Sequence, residues 1–151
     1  MQKTYLCIDL KSFYASVECD ELGLDPFKVN LVVADPTRGG GAITLAATPA
    51  IKKLGVSSRG RIFEIDPKIE YMIAPPRMHL YMEYSCKVYK VFLEFIAKED
   101  IHVYSIDESF LDVTSYLKLY QVNAKELAKK ILERIYEKTG LTATVWIGNN
   151  L

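Results

Sequence analysis

The sequence predicts an α+β fold, an antiparallel sheet backed by helices in the order βα…αββαβ, with a small α/β stretch inserted after the first helix. Short apolar runs at 4–10, 101–106, 110–113 and 141–147, bounded by turn-forming residues, have the composition of strands. Two longer segments, 78–98 and 123–138, carry apolar residues at helical spacing. Breaks at Gly23-Leu24-Asp25-Pro26 and at Pro75-Pro76 set off the stretch between them. The expected organisation is a first part over 1–23, an insertion over 24–76, and a second part over 77–151.

Each element has a local reason. Residues 4–10 are apolar and β-branched without Gly or Pro; Ser12 then caps a helix to about Leu22, closed by Gly23 and Pro26. A strand over 29–34 runs into Asp35-Pro36-Thr37-Arg38-Gly39-Gly40-Gly41, a turn. That glycine run is no phosphate loop, because it lacks a Gly-Lys-Ser/Thr ending and a following helix. Residues 42–47 return as a strand, and Thr48-Pro49 starts a helix kept short by Gly55. Two further strands are expected at 61–65 and 70–73, around Pro67. In the long helix after Pro75-Pro76, Tyr81, Ser85, Val88, Phe92 and Phe95 fall on one face. Asn123 caps the last helix, with Leu127, Ile131 and Ile135 on its apolar side and Gly140 at its end.

Half of the 151 residues are hydrophobic and a quarter are charged, an ordinary globular balance. With 19 basic and 19 acidic residues the net charge is zero, which speaks against a segment that grips DNA unaided. The charge is uneven: 28–61 holds Lys28, Arg38, Lys52, Lys53, Arg59 and Arg61 against Asp35 alone. Cys7, Cys19 and Cys86 form no metal-binding spacing and are expected as free thiols in a reducing compartment. His79 and His102 lack partners at ligand or triad spacing. No apolar run reaches the roughly 20 residues of a membrane helix. A soluble, cytoplasmic protein is expected.

Three carboxylates need a reason. Asp9 ends an apolar strand, and Asp107-Glu108 sits between two others. Ionised acids there are costly unless solvated, paired or bound to metal. Asp9 alone is also explained as solvated or as capping the following helix. Neighbouring strand residues point to opposite faces, so Asp107 and Glu108 reach one site only across a turn. Hard cations such as Mg²⁺ take oxygen ligands, and three carboxylates from adjacent strands suit a two-metal site.

The chain resembles the Y-family (UmuC/DinB-like) translesion DNA polymerases. Cys7-Ile8-Asp9-Leu10-Lys11-Ser12-Phe13-Tyr14-Ala15-Ser16-Val17-Glu18 is similar to that family's opening motif, and Tyr104-Ser105-Ile106-Asp107-Glu108-Ser109-Phe110-Leu111-Asp112 to its second signature. Ala47-Thr48-Pro49-Ala50-Ile51-Lys52-Lys53-Leu54-Gly55-Val56 looks like its fingers helix, in a style nearer UmuC than DinB. Val145-Trp146-Ile147-Gly148-Asn149-Asn150 resembles the strand and turn after the palm helix.

The resemblance implies a palm over 1–23 and 77–151 with fingers over 24–76. It implies two Mg²⁺ ions held by Asp9, Asp107, Glu108 and the Leu10 carbonyl. It gives the nucleotide contacts to Phe13, Tyr14, Thr48 and Lys52, with Tyr14 as the steric gate against a ribose 2′-hydroxyl. Core packing accounts equally for Phe13, and Thr48 or Pro49 stands where many relatives have tyrosine. Glu18 and Asp112 are expected to be structural. The implied partners are primer-template DNA and deoxynucleoside triphosphates, with a sliding clamp or accessory repair subunits beside them, in an SOS-type damage response. Relatives continue through a thumb and a C-terminal DNA-gripping domain, so a truncated fragment, weak or inactive alone, is expected.

Two other functions compete. A nucleotidyl cyclase uses a similar palm but needs Gly-Gly before its acids, where Ser105-Ile106 stand. A non-catalytic repair module predicts loss of a carboxylate, and all three are present.

Overall fold

Leu6, Ile8 and Leu10 alternate with Tyr5, Cys7 and Asp9, and this period of two makes β1 (Tyr5–Leu10) a strand buried on one face only. The computed structural model describes residues 2–149. It divides into two compact units, Met1–Lys11 with Met82–Leu151, and Ser12–Tyr81. The second is drawn wider than the insertion expected over 24–76.

In the first unit β1 lies inside a four-stranded sheet of order β5-β6-β1-β7, antiparallel throughout, with β5 Ile101–Ser105, β6 Glu108–Asp112 and β7 Ala143–Gly148. Leu6 and Ile8 of β1 and Leu111 of β6 are buried. So are Val88, Val91 and Phe92 of helix α3 (Met78–Phe95), and Leu127, Ile131 and Ile135 of α5 (Ala124–Thr139). The Arg134 guanidinium of α5 donates to the Glu94 carboxylate of α3 at 2.8 Å, linking the two helices at the surface. The α5 ends are set locally. Asn123 and Glu126 form a reciprocal capping box, and Gly140 terminates the helix in the left-handed conformation, φ 73°. The expected fold class is what the structure shows.

The second unit holds α1 (Phe13–Leu22), closed by left-handed Gly23, and a three-stranded sheet of order β3-β2-β4. In it β2 (Leu31–Val33) pairs antiparallel with β3 (Ala46–Ala47) and parallel with β4 (Met72–Ala74). Helix α2 (Pro49–Lys52) starts as expected, with the Thr48 side chain capping and proline at the first position. Val32, Ala47, Ile51 and Ile65 form one core cluster of this unit.

Several local expectations are corrected. Residues 61–65 are not a strand. Glu64 Oε1 accepts the Arg61 N–H at 3.1 Å and closes a 3-10 turn over Ile62–Glu64. Ser12 has φ 46° and makes no side-chain cap; its hydroxyl accepts instead from Lys52 Nζ at 2.9 Å. The strand expected over 42–47 shortens to β3. The long helix stops at Phe95 and is followed by a 3-10 turn over Lys98–Asp100. A short helix, α4 (Thr114–Leu119), was not expected; Asp112 turns the chain into it by accepting from the Thr114 hydroxyl and N–H. Among the described residues no helix is long and apolar enough to cross a membrane.

Candidate active site

The register of β1 on β6 sets Asp9 directly opposite Glu108. Directly opposed residues in an antiparallel pair share a face, with Cβ atoms about 4.5–5.5 Å apart. That face is the one away from buried Leu6, Ile8 and Ser109: Asp9 is exposed and Glu108 half-buried. Asp107 stands one residue earlier, in the turn between β5 and β6. Its carbonyl accepts the Leu10 N–H at 2.9 Å, tying the turn to the end of β1, and its carboxylate accepts from Ser105 Oγ at 2.9 Å. Ser85 Oγ of α3 donates to the Ile106 carbonyl at 2.8 Å and fixes the turn from the helix side. Thus Asp9, Leu10, Asp107 and Glu108 all lie at one end of the sheet.

The donors are hard oxygens on two adjacent strands, the kind that Mg²⁺ takes. Two like charges facing each other across an antiparallel pair are destabilising, which a cation would reverse. The fit is one of donor type and strand placement. Among the described residues no three His, Cys, Asp or Glu side chains are gathered closely enough to hold a metal ion.

Cys7 belongs to this face although nothing in the motif reading singled it out. Its thiol donates to Glu108 Oε1 at 3.6 Å. Burial first, then that bond and the Glu108 and Asp9 charges, push the thiol up from its ordinary range, so it stays protonated. The alternation Cys7, Asp9 was the available signal.

The other predicted residues lie in the second unit. Tyr14 is half-buried and stacks on Tyr81, centroids 4.5 Å apart. Phe13 is buried, tilted against Tyr14 and edge-on to Tyr81, so its ring serves packing and only its backbone remains for a ligand. Lys52 is exposed, its ammonium at the Ser12 hydroxyl that opens α1. Thr48 is fully buried; its hydroxyl accepts from the Leu31 N–H at 3.1 Å and donates to the Val29 carbonyl at 2.7 Å. It has no surface atom to give a nucleotide and drops out of the set. The structure corrects that assignment: its hydroxyl holds β2 and α2 together.

The acids expected to be structural are so. Glu18, 3% exposed, takes two bonds from the Arg77 guanidinium and one from the Tyr81 hydroxyl at 2.6 Å. Burial, and then Glu18 as acceptor, push the Tyr81 phenol well above its ordinary range. For Asp112, burial opposes ionisation, but the Thr114 hydroxyl and N–H, with Lys3 and His102 nearby, hold the carboxyl below the usual range.

The family model described as impB/mucB/samB matches residues 8–151. A Bacillus subtilis (strain 168) protein named for UV-damage repair, UvrX, is 40% identical over 99% of this chain and 35% of its own length. The DNA repair protein homolog YozK of the same organism is 41% identical over 70% of this chain and 93% of its own length. Among solved structures, a Y-family DNA polymerase chimera of Dbh and Dpo4 superposes with a TM-score of 0.81 at 27% identity, over 98% of this chain and 43% of that one. The insertion ternary complex of Dbh DNA polymerase gives 0.80 at 28%, over 98% and 43%. The chain thus spans about a third of UvrX and under half of these structures. With residues 8–151 matched and the fold shared, the chain belongs to the impB/mucB/samB family of Y-family DNA polymerase domains.

Proposed function

We propose that this chain carries the catalytic carboxylates of a translesion DNA polymerase, which in the whole protein extends a primer by template-directed nucleotidyl transfer. The observation that carries the proposal is the register placing Asp9 opposite Glu108, with Asp107 tied by its carbonyl to Leu10. Asp9, Asp107 and Glu108, with the Leu10 carbonyl, would hold two Mg²⁺ ions. Bound there, they would supply activation of a primer 3′-hydroxyl and stabilisation of a leaving pyrophosphate. The protein's share is positioning. The β5–β6 turn, held by Ser85 and Leu10, keeps the acids at the sheet end. Tyr14 sits as the gate against ribonucleotides, and Lys52 offers a cation to the triphosphate. Primer-template DNA and deoxynucleoside triphosphates are the proposed partners, with a clamp or accessory subunits acting on the whole protein.

A second reading, a non-catalytic repair module, is favoured by one observation: among the described residues the acids do not close into a ligand cluster. Primer extension by the chain joined to the remainder of a Y-family polymerase separates the two. Asp107→Ala and Glu108→Ala should each abolish extension, and Tyr14→Ala should raise ribonucleotide incorporation. Extension unchanged in either acid variant rejects the metal assignment.

A further inference from the structure

Glu108 has a partner strand on each side. Asp9 of β1 is directly opposite on one, and Ser105 of β5 on the other. Asp9 is a like charge, and the Ser105 hydroxyl donates to Asp107 Oδ1 at 2.9 Å. The Glu108 side chain leans instead along the sheet, where its Oε1 accepts from the Cys7 thiol at 3.6 Å. Cys7 lies two residues before Asp9 on β1, so it is the diagonal neighbour of Glu108 on the same face, within reach of a long side chain. That direction carries the carboxylate away from Asp107, which precedes Glu108 in the turn.

The surroundings of the thiol favour this bond. Cys7 is half-buried, and the register sets it between Phe110 of β6 and Trp146 of β7. Neither side chain offers an oxygen to a thiol proton. Turned to Cys7, Glu108 does not close on the other two acids. Among the described residues no three His, Cys, Asp or Glu side chains are gathered closely enough to hold a metal ion.

We propose that Cys7 is a positioning residue, its thiol a latch that holds Glu108 off the metal site until the carboxylate leaves that bond to complete the ligand set. The latch rests on the assignment of Asp9, Asp107 and Glu108 as metal ligands and adds a control to it. Glu108 has two discrete settings, on the thiol or on a cation. The apparent affinity for the cation is lowered in proportion to the fraction of chains that are latched. A thiol is a weak donor, so the latch is shallow enough for a divalent cation to open.

Two substitutions move the latch in opposite directions. Cys7→Val removes the donor and suits a strand. Cys7→Ser supplies a hydroxyl, which bonds a carboxylate more strongly than a thiol does. Thermal unfolding of the chain as it stands, titrated with MgCl₂, gives the apparent dissociation constant of each protein. Cys7→Val should bind Mg²⁺ about threefold more tightly than wild type, and Cys7→Ser about threefold more weakly. Disturbed packing alone would weaken both. In the infrared difference between wild type and Cys7→Val, the Cys7 S–H stretch should move from its hydrogen-bonded to its unbonded position as Mg²⁺ saturates. Equal affinity in wild type and Cys7→Val, or a thiol band that Mg²⁺ does not move, overturns the latch and leaves the metal assignment standing. A Mg²⁺ response that is absent from wild type, or retained in Asp107→Ala, overturns the metal assignment and the latch with it.

Discussion

The Tyr14 ring lies nearly flat on the Tyr81 ring, centroids 4.5 Å apart and planes 19° from parallel. Tyr81 is fully buried and its hydroxyl is held by Glu18, itself gripped by Arg77. The proposed gate therefore rests on a ring that is fixed by a buried carboxylate, itself paired with a half-exposed arginine.

Removing the Tyr81 hydroxyl and removing its ring should have separable costs. Tyr81→Phe keeps the stack but withdraws a donor from a buried carboxylate, at a cost of about 1.5–3 kcal/mol. Tyr81→Leu should cost roughly 0.5–1.5 kcal/mol more, the value of an aromatic pair. Urea unfolding of the two variants checks this, and equal losses would show that the stack adds nothing to stability.

Magnesium should stabilise the folded chain through the opposed acids. A ligand at 100 times its dissociation constant adds about 2.7 kcal/mol. Glu108→Gln should lose that gain in thermal denaturation. In chelator it should match or exceed wild type by up to about 1 kcal/mol, because one of two facing charges is gone. A Mg²⁺ response of equal size in both proteins rejects Glu108 as a ligand.

Acid stability should report Asp112. Its carboxyl is held below the usual range in the folded chain. It therefore contributes stability above its unfolded value, and that contribution is lost as pH falls through the folded one. Asp112→Asn should lower stability near neutrality by about 1 kcal/mol. It should also flatten the loss below roughly pH 4. Unfolding free energies measured from pH 2 to 7 decide it; parallel curves would remove Asp112 from the balance.

Thiol reactivity should rank the cysteines. Cys86 is exposed, while burial and then the Asp25 and Glu18 charges push Cys19 up to about 11. With a chromogenic disulfide at pH 8, Cys86 should react first, Cys7 slowly and Cys19 only on unfolding. Fast reaction of Cys19 would place it nearer the surface than it stands here.

Much of this was legible in the residues themselves. Thr48-Pro49, Asn123 with Glu126, and Gly140 mark helix ends because caps act within a few residues of chain. Residues 61–65 misled for the same kind of reason in reverse: β-branched residues suggested a strand, and one glutamate side chain closed a turn instead. The sheet face that Cys7 shares with Asp9, and the partners of the Thr48 hydroxyl 17 and 19 residues away, are not written in local sequence.

By itself the sequence determined the α+β class, the acids and the motifs around them, since periodicity, capping and turn chemistry are short-range. Only the tertiary structure decided that Asp9 faces Glu108 and that Tyr14 lies on Tyr81. It alone showed that Glu18 is buried with its partners and that Glu108 leans on the Cys7 thiol. Register and burial arise when segments distant in the chain pack together, and one residue of slip in β1 would have turned Asp9 into the core.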